Sequence, residues 1–241
     1  MKILNLGCGT KTSSNPAVTN IDWSIYLRFR SNKVLRAIAP FWISGDRLER
    51  FNALDDNILV HDLAKGIPFE SGSVDAVYHS HLLEHLDRDV AVAFQKEIRR
   101  VLVPGGIQRI VVPDLERVCS AYLAHIALSE FDPEEANKHD EYIAPILEQS
   151  VRREAFGTSQ RPPLRRRIEN LVLGDARRRG ETHQWMYDRV SLGALLIRLG
   201  FRNPQHRTYD TSLIPDWDQY QLDRGESGEY KPGSLYLEAQ K

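Results

Sequence analysis

Ile3-Leu4-Asn5-Leu6-Gly7-Cys8-Gly9 stands near the start of the chain, and Thr19-Asn20-Ile21-Asp22 follows, with Asp22 thirteen positions after Gly9. A short apolar run enters a glycine turn, and a second short apolar run ends in a carboxylate. The first pattern predicts a buried strand leading into a tight turn, and the second predicts its neighbour. Glycine lets backbone approach a ligand where a side chain would block it. A carboxylate on the tip of the next strand can accept hydrogen bonds from both hydroxyls of a ribose. Together they predict a nucleoside site at the edge of a parallel sheet.

The same grammar continues outward. Ile58–Val60 leads into His61-Asp62 as a third strand, and Ala76-Val77-Tyr78 follows Gly72 and Asp75 as a fourth. Ile110-Val111-Val112, ended by Pro113-Asp114, is a fifth. Ser234–Glu238 reads as the last strand, with Arg207–Thr211 as its antiparallel partner. Val90, Phe94, Ile98, Val101 and Leu102 share one helical face, capped by Asp87 or Asp89 and stopped by Pro104-Gly105-Gly106. Leu115, Val118, Tyr122 and Ile126 share the face of the next helix, with Asp114 as its cap. Leu192–Leu199 is helical and ends at Gly200. Strands alternating with helices predict an α/β fold with a largely parallel sheet.

Composition narrows the function classes. The chain has 241 residues, 41% apolar and 27% charged, which is ordinary for a soluble globular protein. A net charge of −1 gives no global field pointing to nucleic acid. Cys8 and Cys119, the only cysteines, exclude a disulfide framework and a four-cysteine zinc site. The N-terminus lacks the pattern of a signal peptide, and no run approaches the roughly 18 apolar residues of a spanning helix. These observations predict a cytoplasmic enzyme of one domain over 1–241.

Two segments interrupt the alternation. Residues 23–56 are too long for a plain connection. Val34, Leu35, Ile38, Phe41 and Trp42 there share one side of a helical wheel, and residues 23–45 hold four basic residues and no acidic one. This insertion reads either as a cap over the ligand pocket or as a helix in peripheral contact with a membrane surface through 23–45. Residues 151–179 carry nine arginines against three acids. They read either as a solvated loop or as a site for an anionic substrate, since arginine forks match phosphate oxygens.

Carboxyl ends of parallel strands open to one side of a sheet, so the glycine turn, Asp22, Asp62 and the residues after the fourth strand converge on one crevice. Asp22 would hold a ribose, and Asp62 an adenine amino group with the Leu63 backbone beside it. At this point the chain resembles the class I S-adenosylmethionine-dependent methyltransferases, in the branch with a compact type-11 domain. The resemblance rests on Leu4–Gly9, Asn20–Asp22, Asp62 with Ile67-Pro68-Phe69, and Gly72–Tyr78. It continues through Ser80–Leu86, Arg100–Gly106, Trp185–Asp188 with Leu195–Phe201, and Ser234–Glu238. It implies a Rossmann-like, doubly wound sheet of seven strands with one reversed, usually the last. It implies S-adenosylmethionine as cofactor, contacted by Gly7, Cys8, Gly9, Asp22, Asp62, Leu63, His79 and Ser80. One departure stands out: only twelve residues separate Gly9 from Asp22, and Asn15-Pro16 interrupts them. A full first helix does not fit there, so a shortened or missing one is expected. This short form resembles members linked to bacterial polysaccharide and glycolipid biosynthesis.

Methyl transfer to oxygen needs a base near neutral pH, and histidine suits it. His81, at the mouth of the fourth strand, is the first candidate, and His183, in Glu181-Thr182-His183-Gln184-Trp185, is the second. Trp185 and Tyr187 read as acceptor-pocket lining or as core. The expected acceptor is a small molecule, a saccharide or a lipid-linked glycan. Two rival readings remain. One is a non-catalytic accessory protein that binds the cofactor. The other is a zinc hydrolase, because His81-Leu82-Leu83-Glu84-His85 has the inverted zinc-hydrolase spacing if it is helical, with Asp114 or His183 as a third ligand. The favoured reading assigns no metal and gives His85 a packing or hydrogen-bonding role.

Overall fold

The computed structural model describes residues 1–23, 27, 55–149, 182–226 and 228–241. The apolar helix read over 34–42 and the arginine-rich stretch 151–179 lie outside the described residues. Among the described residues, no helix is long and apolar enough to cross a membrane.

Strands β1 (Ile3–Leu6), β2 (Val18–Asp22), β3 (Ile58–Val60), β4 (Val74–Ser80), β5 (Leu102–Pro113), β6 (Arg202–Arg207) and β9 (Ser234–Gln240) form one sheet. A separate two-stranded hairpin pairs β7 (Arg224–Gly225) with β8 (Gly228–Glu229). The large sheet runs β3-β2-β1-β4-β5-β9-β6. Pairings from β3 through β5 are parallel, and β9 is antiparallel to both β5 and β6. The fold is therefore the expected α/β sheet of seven strands with the last one reversed.

The strands read as continuous apolar runs because both faces of the sheet are covered. One face of the sheet, with Leu4 and Leu6 of β1, shares a core cluster with Ala91, Phe94 and Ile98 of α1 (Arg88–Val101) and with Leu192, Leu195 and Leu196 of α5 (Arg189–Arg198), the latter helix lying over β6 and β9. Ile3 faces the other way, into a cluster with Tyr78, Val111, Ile214, Trp217 and Leu222. Full burial of each such side chain contributes roughly 1.5–3 kcal/mol. Val90, placed by its spacing on the apolar face of α1, is instead exposed at the start of the helix. Helices α2 (Leu115–Ser129), α3 (Pro133–Ala136) and α4 (Asp140–Gln149) meet around buried His125, whose ring stacks on His139 and Tyr142.

The second face also holds a buried cation. Arg109 of β5 is fully buried; it donates to Asp223 (2.7 Å), Glu238 (2.7 Å) and the carbonyls of Thr208 and Thr211. Tyr78 Oη and Trp217 Nε1 donate to the same Asp223 carboxylate. This network ties the middle of the sheet to the chain before β9.

No helix forms between β1 and β2. Two buried amides hold the connection instead. Asn5 Nδ2 donates to Lys11 O and Asn20 Oδ1, while Asn20 accepts from Ser13 N and donates to Ser13 O. The side chains thereby satisfy backbone groups that a helix would have paired internally. Two expectations need correction. The antiparallel partner of β9 is Arg202–Arg207 rather than 207–211, because residues 208–211 turn around their own hydroxyls. Residues 81–85 are not an α-helix: His81 has φ +49°, and only Leu83–His85 form a single 3-10 turn.

Candidate functional site

From β1 the chain winds outward through β2 and β3, then returns to place β4 on the other side of β1. That reversal opens a crevice at the carboxyl ends of β1 and β4. A cavity of ≈ 220 Å³ lies there, lined by Asn5, Gly7, Cys8, Gly9, Thr10, Lys11, Tyr78, Ser80 and His81, with Tyr230 and Lys231 from the far end of the chain. Gly7 and Gly9 take φ of +64° and +54°, conformations that favour glycine. A side chain at Gly7 would meet Leu82, whereas one at Gly9 would project into open space. The turn thus presents bare backbone to the cavity, which suits a closely approaching ligand.

Asp22 braces this turn. Its Oδ2 accepts from Gly9 N (2.6 Å) and its Oδ1 from Trp23 N (2.5 Å). Burial pushes the Asp22 pKa up, and the two amides pull against that shift. Each oxygen retains a lone pair for a further donor. Burial, aided by the nearby Asp22 charge, pushes the Cys8 thiol far above its ordinary range, so Cys8 is a packing group here and not a nucleophile. Lys11 stands where the first helix turn would otherwise begin. Its ammonium donates to Arg224 O (2.5 Å) and lies 4.7 Å from the centre of the Tyr230 ring.

The remaining predicted residues divide. Asp62 caps the Leu63–Lys65 turn, accepting from Ala64 N, and Leu63 packs at the margin of the core. His79 is fully buried, with Nε2 beside Gln95 and Gln108. Burial pushes its pKa down to about 4. Neither Asp22, Asp62, Leu63 nor His79 lines the cavity; Asp22 reaches it through its bond to Gly9 N, and His79 has only its backbone to offer a ligand there. Tyr187 is buried, its carbonyl accepting from Leu115 N, and burial pushes its pKa up to about 12. Trp185 is partly exposed, with the Arg88 guanidinium 4.3 Å over its ring.

His81 lies at the cavity wall. Its Nε2 is 2.9 Å from Ser234 Oγ, and its Nδ1 is 3.3 Å from Glu84 Oε1 in ion-pair geometry. Glu84 is 1% exposed. Burial works to raise its pKa, but His81 and His85 outweigh it and hold the carboxyl below its ordinary value. Glu84 is therefore ionised and aligned behind His81, an arrangement that orients a basic imidazole. His183 is not in the cavity wall. It packs edge-on against His85, ring centres 4.9 Å apart.

Sequence reasoning missed Asn5, Thr10, Lys11, Tyr78, Tyr230 and Lys231 as cavity residues. Lys11 carried a signal, being a cation directly after a glycine turn that lacks its helix. Tyr230 and Lys231 carried none, since they arrive from more than 200 residues away.

No curated protein matches the sequence. Similar solved structures include an S-adenosylmethionine-dependent methyltransferase from Methanosarcina mazei, 17% identical, with 100% of this chain and 92% of that one covered at a TM-score of 0.46. Another, from Thermotoga maritima, is 14% identical, with 100% and 82% covered at 0.43. The DhpI complex with SAH is 16% identical, with 99% and 75% covered at 0.46. Residues 4–110, somewhat under half of the chain, run from β1 into β5 and carry the glycine turn, Asp22, Asp62 and the His81–His85 turn; they match the family model described as a methyltransferase domain.

Proposed function

We propose that the chain is an S-adenosylmethionine-dependent methyltransferase acting on an oxygen of a saccharide, glycolipid or related anionic metabolite. One observation carries this reading: within the stretch that matches a methyltransferase domain, the β1–β4 crevice is floored by Gly7 and Gly9 and braced by Asp22. The residues present fit the cofactor, because the backbone at Gly9 is uncovered where a side chain would project into open space. When bound, S-adenosylmethionine supplies an already activated methyl group on its sulfonium.

The chain's own residues then have separate tasks. Gly7, Cys8 and Gly9 contact the cofactor through backbone, and Ser80 closes the opposite side. Asp22 accepts from the ribose hydroxyls; Asp62, with Leu63, serves the adenine edge. Lys11 and Lys231 bring positive charge to the crevice, which a helix N-terminus gives where one follows the glycine turn. His81 takes the acceptor's proton at Nε2 once that nitrogen is released from Ser234 Oγ, whose own proton goes to Lys231 O, while Glu84 holds the Nδ1 side and steadies the imidazolium that forms. His183 stands further off, so it supports the site and does not act on the acceptor. The cap or peripheral membrane role read for 23–56 and the anion-receiving role read for the arginines of 151–179 fall mostly on residues outside the described ones, and they complete this reading as proposals for a single 1–241 domain.

The test is an acceptor screen read by S-adenosylhomocysteine release, including lipid-linked saccharides. Turnover on an oxygen acceptor is expected, and His81→Ala should lower kcat by about 10²–10⁴-fold with cofactor affinity kept. Full turnover in His81→Ala would remove the assigned base. Cofactor binding with no turnover across the panel would turn the reading toward a non-catalytic accessory.

A further inference from the structure

We infer that Glu84, His85 and His183 form a binding site for a divalent transition-metal cation. After β4 the chain turns at His81 and buries Glu84 within the Leu83–His85 turn. Residues 182–185 dock on this turn from far along the sequence. Gln184 N and Trp185 N both donate to Glu84 O, at 2.6 and 3.2 Å. This docking brings one ligand atom from each of Glu84, His85 and His183 within 4.8 Å of the others.

Two features ask for a cation there. Both Glu84 carboxylate oxygens are buried; Oε1 has only the 3.3 Å ion-pair contact with His81 Nδ1, and Oε2 receives no hydrogen bond. Buried carboxylates ordinarily have such donors. The second feature is the setting of His85. Its Nδ1 meets Thr182 O at 3.2 Å, and a carbonyl only accepts, so Nδ1 carries the proton. Nε2 then presents a lone pair toward Glu84 Oε1, 3.9 Å away. Two electron-pair donors face each other with no proton between them, and a cation resolves that repulsion. A carbonyl on the far ring nitrogen is also the support that metal-binding histidines usually have.

Two imidazoles and one carboxylate suit zinc, cobalt, nickel or iron, and three protein ligands leave coordination positions open. The ligand set differs from the hydrolase pattern read from the sequence. Glu84 is itself a ligand, and His183 takes the place of His81. His81 remains the neighbour of Glu84 on the cavity side, so a bound cation would draw charge away from it.

The experiment uses the full chain, treated with chelator and titrated with Co²⁺ alone. One equivalent should bind with visible ligand-field absorption, Zn²⁺ should displace it, and Mg²⁺ should not. His183→Ala should weaken Co²⁺ binding at least tenfold with an unchanged thermal midpoint; if that variant fails to fold, His85→Gln serves in its place. No stoichiometric uptake by the wild-type chain, or unchanged uptake by the folded variant, overturns the site. The readout is the metal itself, so it stands apart from the methyltransferase reading.

Discussion

Asp22→Asn is the sharpest perturbation of the crevice. In the folded chain each carboxylate oxygen already accepts a backbone amide, Oδ2 from Gly9 at 2.6 Å and Oδ1 from Trp23 at 2.5 Å. The isosteric amide keeps one acceptor and turns the other into a donor. One backbone N–H therefore loses its partner and faces an N–H. A hydrogen bond to a charged group is worth about 1.5–3 kcal/mol. Partial exposure of Asp22 lets water replace some of the loss, so a stability cost near the low end, about 1.5 kcal/mol, is expected in urea unfolding. Under the proposed function cofactor binding should suffer more, because one of the two acceptors assigned to the ribose is lost with the charge, and Gly9 loosens. A loss of 1.5–3 kcal/mol corresponds to a Kd raised roughly 10–150-fold. Calorimetric titration with S-adenosylhomocysteine reads this directly. An affinity within about twofold of wild type would refute the reasoning, and with a stability loss alone Asp22 would be a turn brace and nothing more.

Three further outcomes follow from particular residues. Arg109→Leu leaves Asp223 and Glu238 buried without their cation and should cost roughly 3–5 kcal/mol in urea unfolding. Burial already holds the Asp223 pKa up, against the pull of Arg109, so protonation relieves the variant and its deficit should shrink as pH falls; a deficit that grows instead contradicts this. Gly9→Ala should cost about 1–2 kcal/mol for its left-handed backbone, with no clash, while S-adenosylhomocysteine affinity falls at least about tenfold. Equal affinity would show that the open space beside Gly9 is not the ligand's. Burial lowers the His79 pKa to about 4, so between that value and about 6.5 the unfolded chain holds a proton that the folded chain lacks. Stability should therefore fall as pH drops through that window, by about 3 kcal/mol in all, and flatten below it; His79→Gln should remove this part of the urea-midpoint profile.

The sheet was legible where both of its faces are covered. Strands β1, β4 and β5 announce themselves as apolar runs because helices pack one side and the Ile214–Leu222 segment the other. The missing first helix was legible too, from the twelve-residue span broken by Asn15-Pro16. Its replacement was not, because the Asn5–Asn20 amide contacts depend on register between strands. Strand β6 reads Arg202-Asn203-Pro204-Gln205-His206-Arg207, an edge without apolar alternation, so its pairing could not be read from pattern. The burial of Arg109 was not legible, since its partners Asp223 and Glu238 lie more than 100 positions away. The spacing of His81 and His85 fitted a helix, but the positive φ at His81 breaks it and turns both rings onto Glu84 instead. In the candidate site, the floor was visible as glycines, and the Tyr230–Lys231 wall came only with the fold.

Binding of S-adenosylmethionine to the full chain, followed by calorimetric titration, bears most directly on the proposed function. The account predicts one cofactor per chain, displaced by S-adenosylhomocysteine and weakened by Asp22→Asn. Absence of binding to the folded wild-type protein would contradict it.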